Sequence, residues 1–109
     1  MHLLILDDEP YALNDLKNLL LEICPDSHIT ACQLSHTALE AARKNLYDIA
    51  FLDIELGISN GILLAKQLKE LQPSIHIIFT TSYTEYAVDA FALHATGYLL
   101  KPIQKAHIE

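Results

Sequence analysis

Along the chain, short unbroken apolar runs alternate with segments whose apolar residues recur at helical spacing. Leu3-Leu4-Ile5-Leu6 is such a run and ends in acid. Ile49-Ala50-Phe51-Leu52 does the same, ending at Asp53. Ile75-His76-Ile77-Ile78-Phe79 ends in Thr80-Thr81-Ser82, and Tyr98-Leu99-Leu100 ends in Lys101-Pro102. His28-Ile29-Thr30-Ala31-Cys32 reads as a further strand, second in chain order. Continuous apolar runs of this length fit strands buried on both faces of a parallel sheet.

Helical patterns fill the gaps. Leu13, Leu16, Leu20 and Ile23 share one face of a first helix, with Pro10 in its first turn and Pro25 just past its end. A second helix is expected over Ser35–Lys44, with Ala38, Leu39 and Ala42 inward. A third begins at Asn60, a good N-cap residue, and turns Ile62, Ala65, Leu68 and Leu71 inward. A fourth follows Ser82, which stands at capping-box spacing from Glu85. It would turn Val88, Phe91 and Ala92 to the sheet, with Gly97 as a turn residue after its end. Ile103 and Ala106 open a fifth helix.

Strand and helix thus alternate five times without a linker, repeat or low-complexity segment. That pattern predicts an α/β fold, a doubly wound parallel sheet with helices on both faces and right-handed crossovers. In the five-stranded order 2-1-3-4-5, the first and third strands are neighbours and ligands bind at their carboxyl ends.

Composition narrows the class. The chain has 109 residues, 51% of them hydrophobic, enough for one packed domain and too few for two. No apolar run nears the roughly 18 residues of a membrane span, and Met1-His2-Leu3 shows no signal-peptide pattern. The expectation is a cytoplasmic protein with no membrane contact. A net charge of −7 argues against nucleic-acid binding by this segment. Cys24 and Cys32 read as small buried hydrophobes rather than a disulfide, and no histidine pair has metal-site spacing.

Topology makes the polar residues converge. Asp7 and Asp8 follow the first strand, Asp53 the third, Thr81 the fourth and Lys101 the fifth, and all four strand ends open on one sheet edge. Carboxylates about 4 Å apart repel by about 4 kcal/mol at an effective dielectric near 20. A hard divalent cation such as Mg²⁺ offsets that, and Lys101 adds a positive charge beside Asp53. Such a crevice could form an aspartyl phosphate at Asp53, with the cation and lysine stabilising charge on the transferring oxygens. Singly, each motif is ordinary: an acidic pair at a helix start, a loop carboxylate, a capping Thr-Thr-Ser. Their joint order is specific.

The series Leu6-Asp7-Asp8-Glu9-Pro10, Phe51-Leu52-Asp53-Ile54, Asn60-Gly61, Thr81-Ser82 and Tyr98-Leu99-Leu100-Lys101-Pro102 resembles the receiver domain of bacterial two-component response regulators. The resemblance covers essentially the whole chain. Residues 78–87 and 99–103 look most like the LytTR (AlgR/AgrA-like) group. The likeness implies a flavodoxin-like fold and a set of roles. Asp53 would be the phospho-acceptor. Asp8, Asp53 and the backbone carbonyl of Glu55 would bind Mg²⁺, with Asp7 acting through water. Lys101 and Thr81 would contact the phosphoryl group, and Tyr98 would swing inward as Thr81 moves. The fourth helix, fifth strand and fifth helix would form the reporting face. The implied partners are a sensor histidine kinase, a C-terminal output domain of DNA-binding type outside this chain, and a second copy in a homodimer.

Two departures matter. Gly57 stands where the family usually has proline, four residues after the acceptor, which implies a looser loop. The final helix is expected to be truncated, as in a piece of a longer protein. Ser82, where many members have alanine, is a small change. Three other functions compete. An aspartate-nucleophile phosphatase would want a second aspartate where Glu55 stands, and a cap domain. A receiver-like interaction module that is never phosphorylated would not need Asp8, Asp53, Thr81 and Lys101 together. An electron-transfer flavoprotein would need a phosphate loop after the first strand.

Overall fold

The computed structural model describes residues 1–56, 59–82 and 95–108. Gly57 and most of the expected fourth helix, including Val88, Phe91 and Ala92, lie outside the described residues.

Five parallel strands form the sheet: β1 (His2–Leu6), β2 (His28–Cys32), β3 (Ile49–Asp53), β6 (His76–Thr81) and β7 (Gly97–Leu100). Their order is β2-β1-β3-β6-β7, which is the expected 2-1-3-4-5 arrangement. Between β3 and β6 lies an unforeseen two-residue ladder, β4 (Glu55–Leu56) paired antiparallel with β5 (Ser59–Asn60). Helices α1 (Pro10–Ile23), α2 (Ser35–Lys44), α3 (Gly61–Leu71) and α4 (Lys105–Ile108) complete the described elements. The four-residue α4 agrees with the expected short final helix.

Strand alternation splits the core in two. Leu4, Leu6, Ala50, Leu52, Ile77 and Phe79 face α2 and α3 and meet Ala38, Ala42, Leu64, Ala65 and Leu68. Leu3, Ile5 and Phe51 face the other way, onto Leu13, Leu16 and Leu20 of α1, with Ile103 and Ile108 packed at the rim. This double burial is why the strands read as unbroken apolar runs.

Local signals place the helix starts. Glu9 caps α1, its carboxylate accepting from the Tyr11 and Ala12 N–H groups at 3.2 and 2.7 Å. The Asn60 side chain accepts from the Ile62 N–H at 2.7 Å at the start of α3, as its position suggested. Three expectations change. Gly97 begins β7, paired with Ile78, instead of making a turn. Leu71 is exposed, at the last position of α3. Cys32 is buried but Cys24 only partly so, and both are free thiols.

A buried Gln72 ties the lower loops together. Its amide nitrogen donates to the carbonyls of Ala42 and Asn45 at 2.8 and 2.7 Å, and its oxygen accepts from the Tyr47 N–H at 2.9 Å. Among the described residues no helix is long and apolar enough to cross a membrane.

Candidate functional site

The site stands at the carboxyl ends of β1, β3, β6 and β7. Asp7 follows β1, and its N–H donates to the Cys32 carbonyl at 3.2 Å, extending the register beside β2. One Asp7 oxygen accepts from the Glu9 N–H at 2.9 Å. These bonds leave Asp7 4% exposed, while Asp8 is on the surface. Asp53 ends β3 and is 2% exposed. Thr81 ends β6 and is fully buried. The Lys101 N–H donates to the Thr81 carbonyl at 2.7 Å, which carries β7's end to the crevice. The Lys101–Pro102 peptide is cis.

Lys101 reaches both buried acids. Its Nζ lies 2.8 Å from Asp7 Oδ2 and 3.4 Å from Asp53 Oδ2. The lysine expected to pair with Asp53 therefore bonds most closely to Asp7. Burial alone would lower the Lys101 pKa, but the bonds and attraction to Asp7 and Asp53 outweigh it and hold the ammonium above its ordinary value.

Asp53 is pushed the other way. Burial, then a hydrogen bond with the Glu55 carboxyl, then the nearby Asp7 charge raise its pKa from 3.8 to about 7, against the opposing pull of Lys101. Among the described residues, four acids, Asp7, Asp8, Asp53 and Glu55, share this crevice with one ammonium. Ligand oxygens from Asp7, Asp8 and Asp53 all lie within 4.8 Å of one another. A donor set made only of oxygens, with surplus negative charge and one member open to water, fits a hard divalent cation. A cleft of about 210 Å³ lined by Asp7, Asp15, Leu16, Lys101 and Ile103 opens alongside.

Two features were not foreseen. The Thr81 hydroxyl donates to the Glu55 carboxylate, and the Glu55 N–H donates to Asp53 Oδ1 at 3.3 Å. Glu55 was expected to act only through its carbonyl, and nothing in the sequence marks its side chain. The second feature is Gly61. A Cβ there would lie 2.2 Å from the Asp53 carbonyl oxygen, so only glycine lets α3 start this close to the acceptor strand. The Asn-Gly pair was the available signal. Tyr98 is half-buried against the core that faces α2 and α3.

Comparison with known proteins accounts for this geometry. The family model described as "Response regulator receiver domain" matches residues 3–109.

The chain belongs to the response regulator receiver domain family.

Its 109 residues are 44% identical to "Transcriptional regulatory protein LytR" of Staphylococcus aureus strain N315, covering 100% of this chain and 44% of that protein. The receiver domain thus spans less than half the length of that relative. A response regulator from Burkholderia pseudomallei, solved with a phosphorylated aspartic acid, a calcium ion and citrate, superimposes with a TM-score of 0.87 at 27% identity, over 98% of this chain and 63% of that one. The response regulator TrrA from Thermotoga maritima, in complex with Mg²⁺ and BeF, does so with a TM-score of 0.86 at 27% identity, over 98% and 91%.

Proposed function

We propose that Asp53 is the phospho-acceptor of this receiver domain and that its phosphorylation switches the surface reporting to an output domain. The convergence of a buried Asp53 with Lys101 and Thr81 at one sheet edge carries this reading. The phosphorylated aspartic acid in the Burkholderia relative supports it.

In the transfer, a carboxylate oxygen of Asp53 bonds to phosphorus as the bond from phosphorus to the donor's leaving atom breaks. The electron pair stays with the leaving group, an imidazole nitrogen from a phosphohistidine or acetate from acetyl phosphate. Asp53 must be ionised to attack, and Lys101 at 3.4 Å favours that form. Lys101 Nζ and the Thr81 hydroxyl are then placed to hold phosphoryl oxygens, the lysine by charge and the threonine by a single donated hydrogen. Mg²⁺ held by Asp8, Asp53 and the Glu55 carbonyl, with Asp7 acting through water, would neutralise charge on those oxygens.

The new group adds roughly −1.5 to −2 charges at Asp53. Drawing Thr81 toward it would free space for Tyr98 and reshape the face around β7 and the final helix. Flipping a two-state balance from 1:99 to 99:1 needs about 5.5 kcal/mol, and a few charge-assisted bonds of about 1.5–3 kcal/mol each can supply it. The chain is a signalling phospho-acceptor, not a turnover enzyme. Its donor is a sensor histidine kinase, and it works in the cytoplasm. Residues 1–109 form the receiver domain, and the DNA-binding output domain belongs to the rest of a longer protein, in line with the name and length of the staphylococcal relative. Homodimerisation through the reporting face fits this role.

The test is intact mass after incubation with Mg²⁺ and acetyl phosphate. One phosphate adduct on the wild type, absent in Asp53→Asn, is expected. No adduct on the wild type would refute the reading, and steady hydrolysis of phosphoesters would replace it with a phosphatase.

A further inference from the structure

The histidines are scattered in sequence, but the sheet gathers two of them. β1 and β2 run parallel with His2 opposite His28 in the register. Their imidazole rings lie face to face, 5.0 Å between centroids and 16° from parallel. Both residues are exposed at the start of their strands. Asp48, just before β3, adjoins His2 on its other side. The Asp48 Oδ2 accepts from the His2 N–H at 2.8 Å, and the Asp48 N–H donates to the His2 carbonyl at 2.8 Å. The His28 N–H donates to the Met1 carbonyl at 2.9 Å. Hydrogen bonds thus hold the backbone beneath both rings, while the rings themselves meet water.

This pair differs from the acidic crevice in place and in chemistry. It lies at the opposite edge of the sheet, roughly 16 Å along β1 from Asp7. Carboxylates suit Mg²⁺ and Ca²⁺, whereas neutral imidazole suits Zn²⁺, Ni²⁺ and Cu²⁺. A tetrahedral zinc ion holds nitrogen ligands at about 2.0–2.1 Å, so two of them stand roughly 3.3 Å apart. Neighbouring strands run about 4.8 Å apart. Opposed histidines therefore reach that spacing when the exposed rings lean together by side-chain rotation, with no movement of the backbone. Because the register already sets the rings side by side, binding orders little that the fold has not ordered. Asp48 adds a negative charge beside the pair, which favours a divalent cation.

We propose that His2 and His28 form a cross-strand site for a divalent transition-metal ion such as Zn²⁺, with Asp48 as the adjacent charge and water completing the coordination. Each imidazole gives one nitrogen lone pair to the ion, and a water leaves the ion's hydration shell for each nitrogen bound. No oxidation or reduction is involved. The ion clips β2, at the edge of the sheet, to β1. It stabilises the folded chain, because only folding brings the two ligands together.

The experiment is calorimetric titration of the chain with zinc chloride in excess Mg²⁺, paired with NMR of the imidazole nitrogens. It compares wild type, His2→Gln, His28→Gln, Asp48→Asn and Asp53→Asn, with far-UV circular dichroism confirming that each is folded. Wild type should show a zinc-binding event that is lost in both histidine variants, weakened in Asp48→Asn and kept in Asp53→Asn. During that event the His2 and His28 resonances should move together, ahead of the other four of the six histidines. Without zinc, the thermal midpoints of the two histidine variants should match wild type within about 2 °C. With zinc, the wild-type midpoint should rise and theirs should not. No zinc event in wild type would overturn the proposal, as would one that survives both histidine substitutions. An event lost in Asp53→Asn would place the ion in the acidic crevice instead, and loss in only one histidine variant would show a single ligand rather than a cross-strand site.

Discussion

Replacing Asp53 by asparagine should stabilise the metal-free chain at neutral pH, by an amount that shrinks as the pH falls. The side chain is 2% exposed, and its pKa rises from 3.8 to about 7 on folding. A group whose folded pKa is raised contributes stability that is complete below the unfolded value and is lost as the pH rises through the folded one. The fold thus favours the protonated form of Asp53, and wild-type stability falls between about pH 4 and pH 7. Each pKa unit is about 1.36 kcal/mol, so a shift of about 3 units sets an upper limit near 4 kcal/mol. The expected gain is roughly 2–4 kcal/mol at about pH 7.5, and about half that at pH 5. Asparagine gives up the 3.4 Å contact with Lys101, but the 2.8 Å bridge to Asp7 remains. For a domain of this size the gain corresponds to a midpoint shift of about 8–16 °C. The assay is thermal unfolding of both proteins by circular dichroism across that pH range, first with a chelator and then with Mg²⁺. Mg²⁺ should raise the wild-type midpoint more than that of the variant, because asparagine removes a ligand charge. Equal midpoints at about pH 7.5 without metal would refute the reasoning, as would a gap that widens toward acid.

Lys101→Met leaves the buried Asp7 and Asp53 without their cation and should cost about 2–4 kcal/mol at neutral pH, read from urea midpoints. The lysine's own contribution is complete at neutral pH and fades only above its ordinary value of 10.5, because its folded pKa is raised. Gly61→Ala puts a methyl group against the Asp53 carbonyl and should cost about 1–3 kcal/mol while slowing adduct formation, since the backbone that yields carries the acceptor. Gln72→Leu strands the Tyr47 N–H and the Ala42 and Asn45 carbonyls, and should lower the urea midpoint by about 2–4 kcal/mol of stability with adduct yield unchanged.

Much of this molecule is legible in its sequence because two-sided burial writes itself into the strands. A strand such as Leu3–Leu6 needs apolar residues at every position, so the point where acid begins marks both the strand's end and the sheet edge. Asp7, Asp53, Thr81 and Lys101 could be gathered into one crevice on that rule alone. Helix α2 was readable over its whole length for a similar reason, since Ala38 and Ala42 sit one turn apart on its buried face. Side-chain partners were not readable in this way. Whether Lys101 reaches first to Asp7 or to Asp53 depends on tenths of an ångström in the chain after β7. Gln72 looks like a solvated residue at a helix end until the end of α2 and the loop before β3 fold against it. Glu55 offers no periodic signal, because a two-residue ladder is too short to have a period. Its contact with Thr81 exists only once β3 and β6 lie side by side.

The central claim is that Asp53, of all the carboxylates in the crevice, receives the phosphoryl group. Borohydride reduction of the protein after Mg²⁺ and acetyl phosphate treatment tests this directly, because hydride reduces the acyl carbon, releases phosphate and leaves an alcohol on that residue. Tandem mass spectrometry of the digest should then find homoserine at position 53 and unmodified acids at Asp7, Asp8 and Glu55. Reduction at one of those three instead, or an adduct that survives borohydride unchanged, would contradict the account.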